Sequence, residues 1–168
     1  MNFNKTILVS LILLIISCGK TEEKKEEETF MINKIEEETD TAEEGVTNVM
    51  LTSNDQMRYN LKEIKVNAGD KVNLTLKHLG ELGEEVMGHN FVLLKPGVDK
   101  NEFAKEAVDA RDNEYIPENT EDVIVHTEMI GGGEQTNIEF DAPEKGVYTF
   151  ICSFPGHVAL MHGKFIVE

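Results

Sequence analysis

The chain has 168 residues and a formal net charge of −16 at pH 7. This length favours one folded domain, and so acidic a chain argues against nucleic acid as a partner because a polyanion would be repelled. The charge is consistent with solubility alone or with a basic protein partner.

The first 17 residues have the pattern of a signal peptide. A short polar start with Lys5 precedes an apolar run over 7–16, which is too short to span a bilayer. Residues 15–18, ending in Cys18, resemble the lipobox of bacterial lipoproteins. The resemblance implies cleavage before Cys18, lipid attachment to that cysteine, and a location on the periplasmic side of a bacterial membrane, inner or outer. The alternative is an ordinary secretory signal with an incidental cysteine.

Residues 18–45 begin with that cysteine and continue as an acidic linker. Eleven acidic residues and four lysines lie between positions 19 and 44. Because the segment has too few apolar residues to offset its chain entropy, we predict that it is disordered. It would then serve as a stalk that lets the domain reach partners near the membrane. Calcium binding by its glutamates is the weaker alternative, since the spacing of a calcium loop is missing.

Residues 46–168 contain short apolar or alternating runs that are separated by turn signals, a pattern typical of β-strands. The predicted strands are 46–52, 61–66, 71–77, 90–94, 123–127, 136–140, 146–152 and 163–168. Residues 80–85 are predicted to form a loop. Seven or eight short strands indicate an all-β Greek-key β-sandwich or barrel.

One segment of this region has a helical rather than a strand-like pattern. Phe103, Ala107, Val108 and Ala110 are spaced as on one face of a helix, among charged residues. We therefore predict a single short helical insertion over 99–113.

The residues after the penultimate strand include three that can bind copper. Cys152 ends the strand, His157 follows five residues later, and Met161 four residues after that. Thiolate, imidazole and thioether are soft and borderline ligands that suit copper. A proline–glycine pair between them forces the chain to turn. His89 would complete a set of two histidines, one cysteine and one methionine that binds weakly through a long bond, which is the blue-copper electron-transfer arrangement. Cys152 is also the only cysteine outside the targeting segment, so it has no internal disulfide partner.

Four segments of the chain resemble the azurins, which are cupredoxins. They are residues 54–57, 87–93, 126–131 and 150–161. The similarity extends over nearly all of 46–168, and its most specific part is the Cys-x4-His-x3-Met loop. It implies a cupredoxin domain at 46–168 that carries one copper ion and transfers single electrons.

The resemblance also implies a role for each residue of the site. The copper contacts would be three strong ligands, His89, Cys152 and His157, a weak axial Met161, and a distant carbonyl of Gly88. Asn90 would hydrogen-bond across to the loop that carries Cys152 and tie the two ligand segments together.

The resemblance further implies an apolar docking face, through which electrons would leave by way of His157. Its members, called here the apolar patch, are Met57, Met87, Phe154, Pro155, Gly156, Ala159 and Leu160. Core packing is the alternative role for Met57 and Met87. An apolar face suits weak, quickly released redox partners. The partners expected are c-type cytochromes, a reductase or a terminal oxidase, with the protein itself a monomer.

The chain departs from the azurins at the disulfide of that family. Thr47 and Asp70 stand at the corresponding positions, which predicts a free energy of unfolding lower by about 2–4 kcal/mol. His78 matches a family histidine that responds to pH, and we expect it to be a partly buried titrating group.

Two alternatives to an electron carrier remain at this point. The first is a copper storage or delivery protein, and the second is a structural or adhesive sandwich in which the four ligand types are accidental. A structural zinc site is disfavoured because a thioether is a poor ligand for zinc. An enzyme is not expected, since no general base or open coordination position is evident.

Overall fold

The computed structural model describes residues 45–168, which form two β-sheets with two short helices. The strands are β1 (Val46–Asn54), β2 (Arg58–Tyr59), β3 (Glu63–Val66), β4 (Lys71–His78), β5 (Val92–Leu94), β6 (Val123–His126), β7 (Gln135–Asp141), β8 (Gly146–Ile151) and β9 (His162–Val167). The helices are α1 (Glu84–Met87) and α2 (Lys100–Ala107), and 3-10 turns cover Arg111–Asn113 and His157–Ala159. The predictions for the signal peptide, for Cys18 and for nearly all of the linker concern residues outside this range.

The first sheet has the strand order β2-β1-β4-β7, and the second has the order β3-β9-β8-β5-β6. β1 runs parallel to β4 and β3 runs parallel to β9, whereas the other paired strands are antiparallel. The predicted all-β sandwich is therefore confirmed, with nine strands in the described part rather than seven or eight. The additional strand, β2, has two residues, which is too short for alternation to show in the sequence.

The main core is enclosed between the two sheets. Alternate residues of β1 and β4, such as Leu51 and Leu74, face Phe150 and Phe165 of the second sheet. β5 is different because all three of its residues are buried. Its outer face is covered by α2, which contributes Phe103 to a second apolar cluster. The second sheet is thus shielded on both sides where it leads into the metal-binding region.

The helical insertion is shorter than predicted. α2 ends at Ala107, and Val108 is 48% exposed rather than part of the buried face. Ala110, with φ of −104° and ψ of 35°, lies outside helical geometry and separates α2 from the 3-10 turn, which ends at Glu114 with a positive φ. The predicted short helical insertion is therefore confirmed, but it consists of α2 and a separate 3-10 turn rather than one helix over 99–113.

The segment 80–85 was predicted as loop, but the structure has the single helical turn α1 beginning within it. Four residues are too few to show helical periodicity. No helix among residues 45–168 is long and apolar enough to cross a membrane.

A hydrogen bond occupies the place of the azurin disulfide. The Thr47 hydroxyl donates to Asp70 Oδ2 at 2.5 Å, and Asn67 Nδ2 donates to the same oxygen at 3.0 Å. These two bonds lower the pKa of Asp70 below its ordinary value, and the bond from Thr47 has the larger effect. β1 and the turn before β4 are therefore linked by polar contacts rather than by sulfur.

A disulfide at this position should stabilise the fold. The two residues are 23 positions apart, so a cross-link from Thr47→Cys with Asp70→Cys should raise the free energy of unfolding by roughly 3 kcal/mol. Denaturant unfolding of the double variant with and without a thiol reductant measures this, the reduced form being the matched control. Equal midpoints for the two forms would contradict the prediction.

Candidate metal centre

Backbone hydrogen bonds join the two ends of the loop between β8 and β9, and further backbone bonds form within it. The Cys152 N–H donates to the Met161 carbonyl at 3.0 Å, and the amides of Leu160 and Met161 both donate to the His157 carbonyl. Gly156 has a φ of +83°, the left-handed region that favours glycine. As a result Cys152, His157 and Met161 are all buried.

His89 is held near this loop by an isolated β-bridge that lies outside the strands of both sheets. It forms a two-bond β-bridge with Ile130, at 3.0 and 2.9 Å. Gly88 before it is tightly enclosed, because a Cβ there would lie 2.7 Å from the Glu84 carbonyl and 3.0 Å from the Met129 side chain. Only glycine therefore fits at position 88, directly before His89.

The three strong candidate ligands converge on one point. Cys152 Sγ lies 3.9 Å from His89 Nδ1 and 3.6 Å from His157 Nδ1. One ligand atom from each residue lies within 4.8 Å of the others. Bonds of about 2.0–2.3 Å from one ion to nitrogen and sulfur would hold such atoms about 3.5–4 Å apart. The residues present therefore fit a metal ion with little rearrangement. The Gly88 carbonyl is 3.8 Å from the same sulfur.

The His89 ring is oriented by its far nitrogen. Nε2 lies 3.0 Å from the carbonyl of Asn54, which can only accept, so Nε2 carries the proton and Nδ1 presents a lone pair. His78 stacks on this ring with centroids 4.4 Å apart. Its Nδ1 accepts from the Gly80 N–H and its Nε2 faces the Met87 carbonyl at 3.0 Å. His78 is fully buried rather than partly buried.

Burial sets the charge of the metal-free site. It lowers the pKa of both His89 and His157 to about 4 and raises the pKa of the Cys152 thiol to about 11. At neutral pH both imidazoles are therefore uncharged, and each can donate a nitrogen lone pair to a metal ion. The Cys152 thiol keeps its proton. A metal ion must displace that proton on binding.

The metal-free protein should become less stable in acid. Between about pH 6.5 and pH 4 an unfolded histidine is protonated whereas His89 and His157 in the fold are not, so the unfolded state binds more protons. Each histidine should remove up to about 3 kcal/mol over this range. Urea unfolding at several pH values measures the loss. A double variant, His89→Gln with His157→Gln, should show a much flatter dependence, and an equally steep one would contradict the assignment.

Asn90 connects the His89 segment to the Cys152 loop. Its Oδ1 accepts the Ser153 N–H at 2.9 Å, and its Nδ2 donates to Ser153 Oγ at 2.8 Å and to the Glu114 carbonyl at 3.1 Å. Asn90 and Ser153 are both fully buried. The Asn90 side-chain amide thus satisfies the Ser153 N–H and the Glu114 carbonyl, which belong to two other segments of the chain.

Tyr59 is a site residue that the sequence analysis missed. Its hydroxyl donates to the Asn90 carbonyl, and its ring packs against Phe150 with centroids 5.7 Å apart. Burial raises the pKa of this phenol, and the nearby Cys152 raises it further to a smaller extent. The only signal in the sequence is its place two residues after Met57, in the short strand β2.

Members of the apolar patch differ in their exposure. Gly156, Ala159 and Leu160 are exposed, whereas the other four are half-buried. Met57 and Phe154 also pack against the main core. His157 is 3% exposed, and its ring lies 4.6 Å from that of Phe154. Two residues not predicted for the patch, Leu82 and Val86, lie in the segment before Met87 and are exposed, at 42% and 63%.

Sequence comparison finds relatives among azurins and a protein named outer membrane protein H.8. The family described as "Copper binding proteins, plastocyanin/azurin family" matches residues 46–168. Azurin of Bordetella pertussis is 41% identical over 120 residues, covering 68% of this chain and 79% of that protein. Outer membrane protein H.8 of Neisseria gonorrhoeae is 43% identical over 116 residues, covering 67% of this chain. The matched region spans 62% of the length of that neisserial protein.

Two solved structures have a similar fold. Reduced auracyanin of Roseiflexus castenholzii is 30% identical with a TM-score of 0.66, covering 74% of this chain and 99% of that one. Auracyanin A of Chloroflexus aurantiacus, described as a "blue" copper protein, is 27% identical with a TM-score of 0.68. Its match covers 74% of this chain and the whole of that protein.

Proposed function

Because this chain belongs to the plastocyanin/azurin family of copper-binding proteins, we infer that it is a blue-copper electron carrier, and we propose that it works while tethered to a membrane. The observation that carries the proposal is the buried Cys152 thiol, which lies within 3.6–3.9 Å of two histidine nitrogens. One cysteine and two histidines, with a methionine in the same loop, form the donor set of an electron-transfer copper site.

The residues of the chain fit copper better than zinc. When bound, copper supplies a one-electron couple between Cu(I) and Cu(II). His89 and His157 are held neutral by burial, and Cys152 is fixed by its backbone bond to Met161. The buried thioether of Met161 in the same loop would be a poor ligand for zinc. A rigid donor set suits both oxidation states, so little reorganisation should accompany electron transfer.

The same features support a carrier rather than an enzyme or a copper-delivery protein. The donors are covered by a loop that hydrogen-bonds to itself, so surrender of the ion would require that loop to open. Copper storage or delivery is kept as the alternative outcome of the test below. His157 lies under Phe154, so a partner that covers the apolar patch comes nearest to the site there.

Membrane attachment through a lipid on Cys18 is part of the proposal. It is supported by the lipobox-like residues 15–18 and by similarity to a protein named outer membrane protein H.8. The protein would act as a monomer on the periplasmic side of a bacterial membrane. It would exchange electrons with c-type cytochromes, a reductase or a terminal oxidase. Cys18→Ser should move the protein from the membrane to the soluble fraction, and continued membrane association would contradict the tether.

The experiment that tests the carrier function compares the rate of electron transfer to the copper-loaded protein with the rate of copper release from it. Copper-loaded protein is mixed with a reduced c-type cytochrome, and in parallel with a copper chelator. We expect reduction of the protein within seconds while the copper is retained for hours, and no oxidation of the cytochrome by a zinc-loaded control. Release of copper faster than electron exchange would instead favour a delivery protein.

A further inference from the structure

Two consecutive residues at the end of the helical insertion adopt a left-handed backbone conformation. Glu114 and Tyr115, which follow the 3-10 turn Arg111–Asn113, have φ angles of +57° and +56°. This conformation is unfavourable for most residues other than glycine, and it rarely occurs at two adjacent positions. Such a strained backbone persists only where surrounding contacts hold it. The contacts of this pair, called here the left-handed corner, extend to the metal centre.

The Glu114 backbone carbonyl joins the two segments that carry the strong ligands. It accepts a hydrogen bond from Asn90 Nδ2 at 3.1 Å and a longer one from Ser153 Oγ at 3.5 Å. Asn90 directly follows His89, and Ser153 directly follows Cys152. Asn90 and Ser153 are both fully buried. One oxygen of the corner therefore contacts both segments at the residue next to a ligand.

The Glu114 carboxylate contacts a third segment, on which the position of His89 depends. Its Oε2 accepts the Met129 N–H at 2.5 Å. Met129 directly precedes Ile130, whose two-bond bridge fixes the backbone of His89. The Met129 side chain also encloses Gly88, because its sulfur lies 3.0 Å from the position that a Cβ would take there. The carboxylate therefore restrains the segment that holds His89.

The Tyr115 ring contacts the surroundings of the third strong ligand. It packs edge to face against Phe154 with centroids 5.3 Å apart, and the Phe154 ring lies 4.6 Å from that of His157. The Tyr115 N–H donates to the Ala110 carbonyl at 3.0 Å, which ties the corner to the helical insertion. The corner thus connects this insertion to the residues around all three strong ligands.

We propose that Glu114 is a positioning residue for the copper site, which fixes the His89 segment relative to the Cys152 loop. The inference rests on the proposed function and deepens it, because it names a residue that keeps the donor set rigid. Hydrogen bonds around metal ligands change metal affinity by about 10–100-fold although their groups never touch the ion. A carboxylate suits this role, because its bond to a backbone N–H is shorter and stronger than that of a neutral acceptor. Without it the buried Met129 N–H loses its acceptor.

The test compares the copper affinity of full-chain variants by competition with a copper chelator. Glu114→Ala removes the carboxylate, whereas Glu114→Gln removes its charge and keeps an oxygen that can accept the Met129 N–H. Glu114→Asp keeps the charge on a side chain one methylene shorter, and it replaces the alanine variant if that variant folds poorly. Thr47→Ala is the control for lost stability. It removes a hydrogen bond to the Asp70 carboxylate near the start of β1, whereas Asn54 at the end of β1 contacts His89.

We expect Glu114→Ala to bind copper about tenfold more weakly than wild type and Glu114→Asp about fivefold more weakly. Glu114→Gln should recover most of the affinity and remain within about twofold of wild type, as should Thr47→Ala. A purely structural role would not produce this pattern, because Glu114→Ala and Thr47→Ala would then lose copper affinity equally.

A second measurement needs no metal. In metal-free protein that also carries Cys18→Ser, the buried Cys152 is the only thiol. Local opening of its loop should let an aromatic disulfide reagent modify it about tenfold faster in Glu114→Ala than in Thr47→Ala.

Equal copper affinity or equal thiol reactivity in Glu114→Ala and Thr47→Ala would overturn the inference, as would a Glu114→Gln protein that binds copper no better than Glu114→Ala. Failure of the proposed function has a different signature. A wild-type protein that holds copper through Glu114 as expected, but exchanges no electrons with small inorganic oxidants and reductants, would overturn the carrier function and leave the positioning role intact.

Discussion

Replacing Cys152 with serine should abolish the strong absorption at about 600 nm that the copper-loaded protein is expected to show. That band arises from charge transfer between the thiolate sulfur and copper, and a serine hydroxyl cannot replace the thiolate. The thiol is fully buried, lies 3.9 and 3.6 Å from the two histidine nitrogens, and is the only cysteine thiol among the described residues. The spectrum of each protein at equal copper content measures the effect.

The other cysteine of the chain provides the matched control. Cys18→Ser should retain the full band, because the proposed copper ligands all lie within 46–168. The metal-free Cys152→Ser protein should remain folded, since serine is nearly isosteric with cysteine and the change in unfolding free energy should be about 1–3 kcal/mol. A band that survives in folded Cys152→Ser protein would show that Cys152 is not a copper ligand.

Removing the Asn90 side chain should damage both the fold and the metal site. Asn90→Ala leaves the buried Ser153 N–H without its acceptor and removes the Nδ2 donor from the Glu114 carbonyl, which keeps only the longer 3.5 Å bond from Ser153 Oγ. Each unsatisfied buried group costs roughly 1–3 kcal/mol, so a total loss of about 3 kcal/mol is expected. Because Asn90 follows His89 and holds the residue after Cys152, copper affinity should also fall by about 10–100-fold.

Ser153→Ala is the control for this prediction. It removes the hydroxyl that contacts Asn90 but keeps the bond from the Ser153 N–H to Asn90 Oδ1. Its losses of stability and of copper affinity should therefore be clearly smaller, as measured by denaturant unfolding and competition with a copper chelator. Equal losses in the two variants would mean that the hydroxyl, rather than the amide-to-backbone bond, ties the segments together.

The sequence was most informative where the chemistry is local. Cys152, His157 and Met161 lie within ten residues, so their spacing alone indicates a metal-binding loop, and the proline–glycine pair between them explains its turn. His89 lies 63 positions before Cys152, and no periodicity predicts that the two would meet. His89 was included because it completes the set of donor types, and the resemblance to a known family supported that choice. Its closeness to Cys152 follows only from the folded sandwich, which brings β5 beside β8.

Features that depend on tertiary contacts were missed. Tyr59 lies in a two-residue strand, and its importance comes from a contact with Asn90, 31 positions away. Glu84 and Asp112 line the same hollow although α2 lies between them in the sequence, which shows them only as scattered charges. At Thr47 and Asp70 the sequence showed the loss of a disulfide, whereas the hydrogen bond that replaces it required the register of β1 against β4.

An optical redox titration of the copper-loaded full chain tests the central claim most directly. Absorbance at about 600 nm is followed while the potential is stepped down and then up again. An electron carrier of this kind should bleach and recover along one curve with the slope of a one-electron couple, without loss of copper. Absence of the band, or loss of copper on reduction so that the colour does not return, would contradict the account.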